Sequence, residues 1–175
     1  AIAHSVAIGA HPSFPDREHF GRHEMQLPPR ELHECIVAQI ESLAAVARAA
    51  GTTLRHVKPH GALYNMAARD EALAETVVAA VRSIDPTLMV FGLAGSTLLA
   101  VAERHGLRAI SEAFADRGYR PDGSLLPRKE PGSVISLPAI VAGRALQMIR
   151  EGSVAGADGS RVVIRAVTIC IHGGT

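Results

Sequence analysis

Four short apolar runs of this chain each end in a cluster of polar residues, and segments with helical periodicity lie between the runs. The four segments are 8–12, 56–61, 112–117 and 169–173. In folds built from repeated strand–helix units, the strands are buried and the loops at their carboxyl ends carry the chemistry. Four polar clusters in register with the strands therefore predict one shared site, and with it an enzyme.

The spacing of apolar residues predicts four long helices. The first begins at Pro28-Pro29, Asp70 caps the second, Ser96 is placed to cap the third, and Pro138 begins the fourth. The first helix has an apolar face at spacings of three and four, formed by Leu32, Ile36, Ile40, Leu43 and Ala47. Predicted strands cover 5–10, 54–58, 88–93, 108–114 and 162–171, and a long loop covers 116–137.

Strands and helices alternate, and the helices are long enough to be crossovers between parallel strands. This order is typical of a mainly parallel α/β fold. A closed (β/α) barrel takes about 250 residues, so about five units leave a barrel open. We therefore interpret residues 1–175 as a single (β/α) barrel domain that is truncated at its N-terminus, with the first units preceding Ala1.

Composition excludes several classes of partner. Eighteen basic and seventeen acidic residues give a net charge of +1, so neither nucleic acid nor an anionic membrane is electrostatically favoured. Aromatic residues make up 3% and Trp is absent, which argues against base or sugar stacking. Cys35 and Cys170 are far apart, and no run of about 20 apolar residues occurs. We expect no disulfide framework, no membrane span and a reducing, cytoplasmic location.

Segment 56–65 carries the strongest local signal. Lys58 ends the second strand, Pro59 restricts the backbone that follows, and Gly61 permits a close backbone approach. Lys58 can bind a phosphate or carboxylate, and His60 can transfer a proton near neutral pH. The alternative is a solvated turn that holds two imidazoles. The position of Lys58 at the buried end of an apolar strand argues against that alternative.

Segment 112–117 places two carboxylates and a guanidinium at the end of a strand. Glu112 interrupts a strand that should be buried. It is therefore either paired with a cation such as Lys58 or used as a base. Asp116 and Arg117 suit a structural ion pair as well as they suit a functional role.

Histidines follow the first and last strands, at His11 and His172, and both are candidates for the shared site. His19 and His23 are four residues apart, but the Gly and Pro residues around them make a helix unexpected. No H-E-x-x-H pattern is present. We interpret these two as surface histidines.

A metal is one possible occupant of the strand ends. His11 and His60, joined by His172 and Asp16, have the donor atoms of a catalytic zinc or iron site. Their spacing does not decide between metal binding and acid–base work, which such clusters more often serve.

Segment 92–96 leads into the predicted third helix and ends in Gly95-Ser96. Free N–H groups and the helix dipole suit an anion at such a position. The chain has no G-x-x-x-x-G-K-[ST] and no G-x-G-x-x-G pattern, so an ordinary tight turn is an equal interpretation.

Seven segments together resemble the LamB/YcsF family, which supplies a subunit of the bacterial ATP-dependent 5-oxoprolinases. They are IGAHPSFPD (8–16), FGR (20–22), VKPHGALYN (57–65), GLAGS (92–96), EAFADRGY (112–119), LLPR (125–128) and TICIHG (168–173). They follow the family's order over almost the whole chain. The resemblance implies an irregular (β/α) barrel of the polysaccharide-deacetylase-like type whose N-terminal units are not visible here. The chain departs from the family at Gly174, where the family continues His-Gly with Asp.

The resemblance also implies a reaction, the ATP-dependent hydrolytic opening of 5-oxo-L-proline to L-glutamate. It implies ATP with Mg²⁺ as cofactor and two further subunits as partners. A lactam is a stable amide, so phosphorylation of its oxygen creates a leaving group before water attacks. Phosphate would be held by Lys58 and Gly95-Ser96, the substrate carboxylate by Arg117 or Arg128, and the proton and water by Glu112, Asp116 or His60. The set of candidate binding residues is completed by His11, Asn65 and His172.

Two other functions stay open. One is a metal-dependent deacetylase acting on an amide or carbohydrate, which the fold relationship would permit. The other is a non-catalytic subunit that presents a ligand to partner proteins, and the departure at Gly174 gives it weight.

Overall fold

The computed structural model describes residues 1–172, so the departure at Gly174 lies outside the described residues. The chain forms two compact units. Unit 1 comprises residues 1–92 and 96–109, and unit 2 comprises residues 93–95 and the chain from 110 onward.

Unit 1 contains three parallel strands and four helices. In chain order they are β1 (Ile8–Ala10), α1 (Pro29–Ala49), β2 (Leu54–Val57), α2 (Gly61–Ala67), α3 (Glu71–Ile84), β3 (Met89–Leu93, whose last residue belongs to unit 2) and α4 (Thr97–Arg104). A short 3-10 turn, Ile2–His4, precedes β1, and β1 begins at Ile8, later than the start at residue 5 that we predicted. β2 lies between β1 and β3, with Ala10 opposite Val57 and Val57 opposite Val90. The carboxyl ends of β1 and β2 are therefore adjacent.

The predicted apolar faces form the core of unit 1. Leu32, Ile36, Ile40 and Ala47 of α1 are buried, and Leu43 packs against the same core. Asp70 caps α3 as predicted, because its carboxylate accepts a hydrogen bond from the Leu73 N–H at 3.0 Å. α2 was not predicted, since seven residues are too few to show a helical period.

Unit 2 contains a parallel pair of strands, a helix and a hairpin. Its elements are β4 (Ala109–Phe114, whose first residue belongs to unit 1), α5 (Pro138–Glu151), β5 (Ser153–Ala155), β6 (Arg161–Val163) and β7 (Thr168–Cys170). β4 and β7 pair with Phe114 opposite Cys170. The predicted loop 116–137 has no helix or strand, although two isolated bridges cross it.

The single strand predicted over 162–171 is wrong, because the apolar run divides into β6 and β7. β6 pairs antiparallel with β5 across a turn in which Gly159 has a φ of +83°. Asp158-Gly159 is a standard hairpin signal, but the apolar run after it obscured the break. Directly after β6, the Ile164 N–H donates to the Gly152 carbonyl at 2.8 Å.

Parallel strands that alternate with helices in sequence confirm the predicted α/β class, of the (β/α)-barrel type. Among residues 1–172, none of the helices is both long enough and apolar enough to cross a membrane.

Candidate functional site

The ends of β1 and β2 bring three predicted site residues together in unit 1. The Lys58 N–H donates to the Ala10 carbonyl at 2.9 Å, which aligns the two strand ends. His11 Nδ1 lies 2.6 Å from the Lys58 carbonyl oxygen. His60 Nδ1 lies 2.8 Å from His11 Nε2, and His60 Nε2 lies 2.9 Å from the Phe20 carbonyl oxygen. We call these two imidazoles the His11–His60 pair.

Proton counting shows what the His11–His60 pair requires. A carbonyl oxygen only accepts, so both outer nitrogens of the pair must carry hydrogen. Two neutral imidazoles have two protons in total, and both are used at the outer positions. The inner nitrogens, 2.8 Å apart, then need a third proton between them. All three hydrogen bonds can therefore form together only when the two rings carry three protons, which is one positive charge on the pair.

The segment after β1 folds over His60 and positions it. The His60 N–H donates to the Pro12 carbonyl at 2.8 Å, and the Ala62 N–H donates to the Gly21 carbonyl at 2.9 Å. Gly61 has a φ of +61°, and a Cβ added there would lie 2.3 Å from the Gly21 oxygen. The close backbone approach predicted at Gly61 is thus present.

Gln39 of α1 anchors the same segment from the other side. Its side-chain oxygen accepts from the Ser13 N–H at 3.0 Å, and its Nε2 donates to the Ser13 carbonyl at 2.9 Å. Gln39 also lines an open cavity of about 480 Å³ beside His11. No motif marked Gln39, because a lone Gln on a helix carries no sequence signal.

Lys58 is half-buried, with its Nζ 5.9 Å from the centre of the buried Tyr64 ring. Burial lowers the pKa of His56, and the positive charge of Lys58 lowers it further. The His56 ring fills the space next to Gly9, where an added Cβ would lie 2.1 Å from the ring. His56 is therefore a neutral packing residue beside the candidate site.

Two other predicted binding residues lie in unit 1, Asn65 in α2 and Ser96 directly before α4. Asn65 donates to the Gly61 carbonyl at 3.2 Å within α2. Ser96 precedes α4, as predicted, but its hydroxyl makes no cap bond. That hydroxyl is buried and has no hydrogen-bond partner among the described residues. A buried unsatisfied hydroxyl is a position where a ligand or water atom fits. The neighbouring Gly95 is exposed, with a φ of +78°.

In unit 2, Asp116 and His172 form a second polar pair. Asp116 Oδ2 accepts from the His172 N–H at 3.1 Å and lies 2.7 Å from His172 Nδ1. A carboxylate next to Nδ1 holds the proton there and leaves Nε2 of a neutral ring as a base. Asp116 Oδ1 is buried with no hydrogen-bond partner among the described residues. Glu112 is buried as well, at 4% exposure on β4.

Arg117 and Arg128 are the predicted carboxylate ligands, and that role stays a prediction. Arg117 is buried, and it donates to the backbone carbonyls of Ser133 at 2.8 Å and Leu126 at 2.5 Å. These bonds secure the 116–137 loop. The Asp116 carboxylate bonds to His172, so the ion pair considered between Asp116 and Arg117 is not the arrangement adopted. Arg128 is exposed, and its carbonyl accepts from the Ser133 hydroxyl.

Arg144 of α5 is a structural residue that the sequence did not mark. Its guanidinium donates to the carbonyls of Ala115 at 3.0 Å, Arg117 at 2.8 Å and Ala155 at 3.1 Å. Burial lowers its pKa from the usual range. Tyr119 is also buried, and its hydroxyl accepts from the Phe114 N–H at 2.7 Å. Burial raises the pKa of Tyr119 to about 12.

A set of residues with metal-ligand spacing shares only Asp16 with the predicted one. Asp16, His19 and His23 each offer one ligand atom, and these atoms lie within 4.8 Å of one another. Both histidines are exposed and outside any helix, as predicted. Their approach to Asp16 was missed, because it depends on the turn at residues 16–21 rather than on a helical spacing.

Comparison with known proteins extends over the whole chain. The sequence profile of the LamB/YcsF family matches residues 1–175. The A subunit of the 5-oxoprolinase of Histophilus somni (strain 129Pt) is 51% identical over 173 residues, which cover 99% of this chain and 70% of that protein. The crystal structure of the lactam utilization protein from Thermus thermophilus matches with a TM-score of 0.91 and 48% identity, over 98% of this chain and 70% of that one. The chain belongs to the LamB/YcsF family.

Proposed function

We propose that this chain acts in 5-oxoproline metabolism, as one subunit of an enzyme that opens 5-oxo-L-proline to L-glutamate with ATP. The Histophilus relative is named as the A subunit of a 5-oxoprolinase, which supports this substrate and a multi-subunit enzyme. The name of the Thermus protein, lactam utilization protein, supports a cyclic amide as substrate. Two further subunits are the expected partners, and the two distant cysteines suit a cytoplasmic location.

The observation that carries the proposal is the 2.8 Å contact between His60 Nδ1 and His11 Nε2 at the strand ends. Opening a lactam breaks the C–N bond, and the departing nitrogen keeps the electron pair. That nitrogen must receive a proton to become the α-amine of glutamate. In its three-proton form the pair can give a proton to that nitrogen, as a general acid does.

ATP would supply a phosphoryl group to the lactam oxygen and so activate the ring carbon for attack by water. The C–N bond would then break, and a second water would release phosphate from the resulting acyl phosphate. Donors suited to phosphate are present in this chain. Lys58 offers a half-buried ammonium, and Ser96 offers a buried hydroxyl with no hydrogen-bond partner among the described residues. Mg²⁺ prefers carboxylates, water and the substrate's own phosphates as ligands, so it would arrive with ATP.

The Asp116–His172 pair of unit 2 supplies a base in the proposal. Asp116 holds the proton on Nδ1 of His172, so Nε2 can take a proton from the attacking water. The unsatisfied Oδ1 of Asp116 has capacity for one more donor, such as that water or a substrate N–H.

Glutamate release from 5-oxoproline tests the proposal. The protein would be assayed alone and with its two partner subunits, each with and without ATP. We expect release that requires ATP and the partners. Release without ATP that is abolished by a chelator would overturn the proposal in favour of a metal-dependent amide hydrolase. No release under any condition, with ligand binding retained, would indicate a protein that binds the ligand without catalysis.

A further inference from the structure

We propose that Asp16, His19 and His23 form a binding site for a divalent transition-metal ion, with Zn²⁺ as the best-suited ion. The three side chains come from eight consecutive residues of one segment. Their ligand atoms lie within 4.8 Å of one another, and Asp16 Oδ1 is already 2.8 Å from His19 Nδ1. This proposal does not depend on the proposed function, because none of the three residues has an acid–base or phosphate-binding role in it.

The carboxylate of the proposed site is held in place by the backbone. The His19 N–H donates to Asp16 Oδ1 at 3.2 Å, and the His23 N–H donates to Asp16 Oδ2 at 3.3 Å. The Gly21 N–H donates to the Asp16 carbonyl at 2.7 Å. Second-shell donors of this kind orient a ligating carboxylate before the metal arrives.

The two imidazoles can reach a common ion with small movements. Their rings are stacked, with centres 3.6 Å apart and planes 19° apart. Parallel rings direct their lone pairs side by side, so one ring must rotate before a single ion lies in both planes. Both residues are exposed, so this rotation meets little obstruction. Zinc–ligand bonds of about 2.1 Å at tetrahedral angles separate ligand atoms by about 3.4 Å, a small opening from 2.8 Å.

The donor set selects the class of ion. Two imidazole nitrogens and one carboxylate oxygen favour zinc and the neighbouring divalent ions Co²⁺, Ni²⁺ and Cu²⁺. Mg²⁺ prefers six oxygen ligands, so it should not compete. Three protein ligands also leave a position for water, as in an open zinc site.

The ion would fasten the segment that contacts His60. Phe20 and Gly21 lie between His19 and His23 in the sequence. The Phe20 carbonyl lies 2.9 Å from His60 Nε2, and the Gly21 carbonyl accepts from the Ala62 N–H. Phe20 has a φ of +58°, a conformation that a bulky residue rarely adopts. A metal bound on both sides of Phe20 would stabilise this backbone, and with it the hydrogen bond to His60.

The test is metal titration of the chelator-treated protein. Zn²⁺ would be followed by calorimetry and Co²⁺ by its visible absorption, which reports imidazole coordination. We expect one ion per chain, a higher melting temperature with Zn²⁺, and no response to Mg²⁺ alone. His19→Gln and His23→Gln should each weaken Zn²⁺ binding by at least about tenfold.

His4→Gln is the matched control, because His4 is also exposed and lies outside the segment. It should bind Zn²⁺ as the unaltered protein does. Since all three substituted histidines are exposed, their variants should keep the melting temperature of the metal-free protein. The proposal is overturned if no Zn²⁺ binds at tens of micromolar metal. It is equally overturned if His11→Gln abolishes binding while His19→Gln and His23→Gln do not, because the ion would then lie at the His11–His60 pair.

Discussion

The His11–His60 pair illustrates how much of this protein's chemistry is decided at the scale of single residues. Both histidines were predicted as site residues from their positions at strand ends. The two carbonyl partners and the 2.8 Å separation add a requirement for a third proton, which no motif encodes. The sequence likewise does not predict that Asp16, His19 and His23 lie close together, because their approach depends on a turn that has no periodic signature.

Gly61 allows a residue-scale prediction about the backbone around His60. Gly61→Ala would place a Cβ 2.3 Å from the Gly21 oxygen at a φ of +61°. We expect a loss of about 3 kcal/mol in the free energy of unfolding, measured by urea denaturation, since left-handed strain and a backbone clash add together.

Gly51→Ala is the control for that measurement. Gly51 has a φ of +78°, but an added Cβ would meet nothing within 4 Å. Strain alone should lower the free energy of unfolding by about 1 kcal/mol. Equal losses in the two variants would show that the contact with Gly21 does not matter.

At the scale of elements, prediction succeeded where a long periodic face is buried. α1 and α3 were predicted because their buried residues recur every three or four positions, and Asp70 marks where α3 begins. α2 was missed because it has two turns, and the β5–β6 hairpin was missed because β6 and β7 form one apolar run in sequence. Local pattern thus determines long elements and leaves short ones to their packing.

Arg144 allows a prediction about how α5 holds the segment after β4. Its guanidinium donates to the carbonyls of Ala115, Arg117 and Ala155. Arg144→Lys keeps the charge, but an ammonium cannot reach three divergent carbonyls. We expect a loss of about 2 kcal/mol in the free energy of unfolding and faster amide exchange over residues 115–119.

Arg150→Lys on the same helix is the matched control, because Arg150 is exposed. It should change the free energy of unfolding by less than about 0.5 kcal/mol. Unaltered amide exchange over residues 115–119 in Arg144→Lys would mean that Arg117 and Tyr119 hold this segment without Arg144.

At the scale of the whole molecule, the question is whether both units serve one reaction. Unit 1 carries the His11–His60 pair, and unit 2 carries the Asp116–His172 pair. His60→Gln and Asp116→Asn should each lower kcat for glutamate release by at least about a hundredfold.

Urea denaturation of the same variants separates chemistry from folding, and His4→Gln is again the unreactive control. If either single variant keeps a nearly unaltered kcat, the unit that carries the substituted residue does not take part in the reaction.

The amino-acid sequence by itself determined the parallel α/β class, the long helices, the strand ends that carry polar groups and the resemblance to the LamB/YcsF family. These features follow from periodicity and from residue order, which depend on near neighbours. The tertiary structure decided which groups pair, such as Asp116 with His172 across 56 positions and not with the adjacent Arg117. Such choices depend on distances of a few tenths of an ångström between residues far apart in sequence, and only the folded backbone sets those distances.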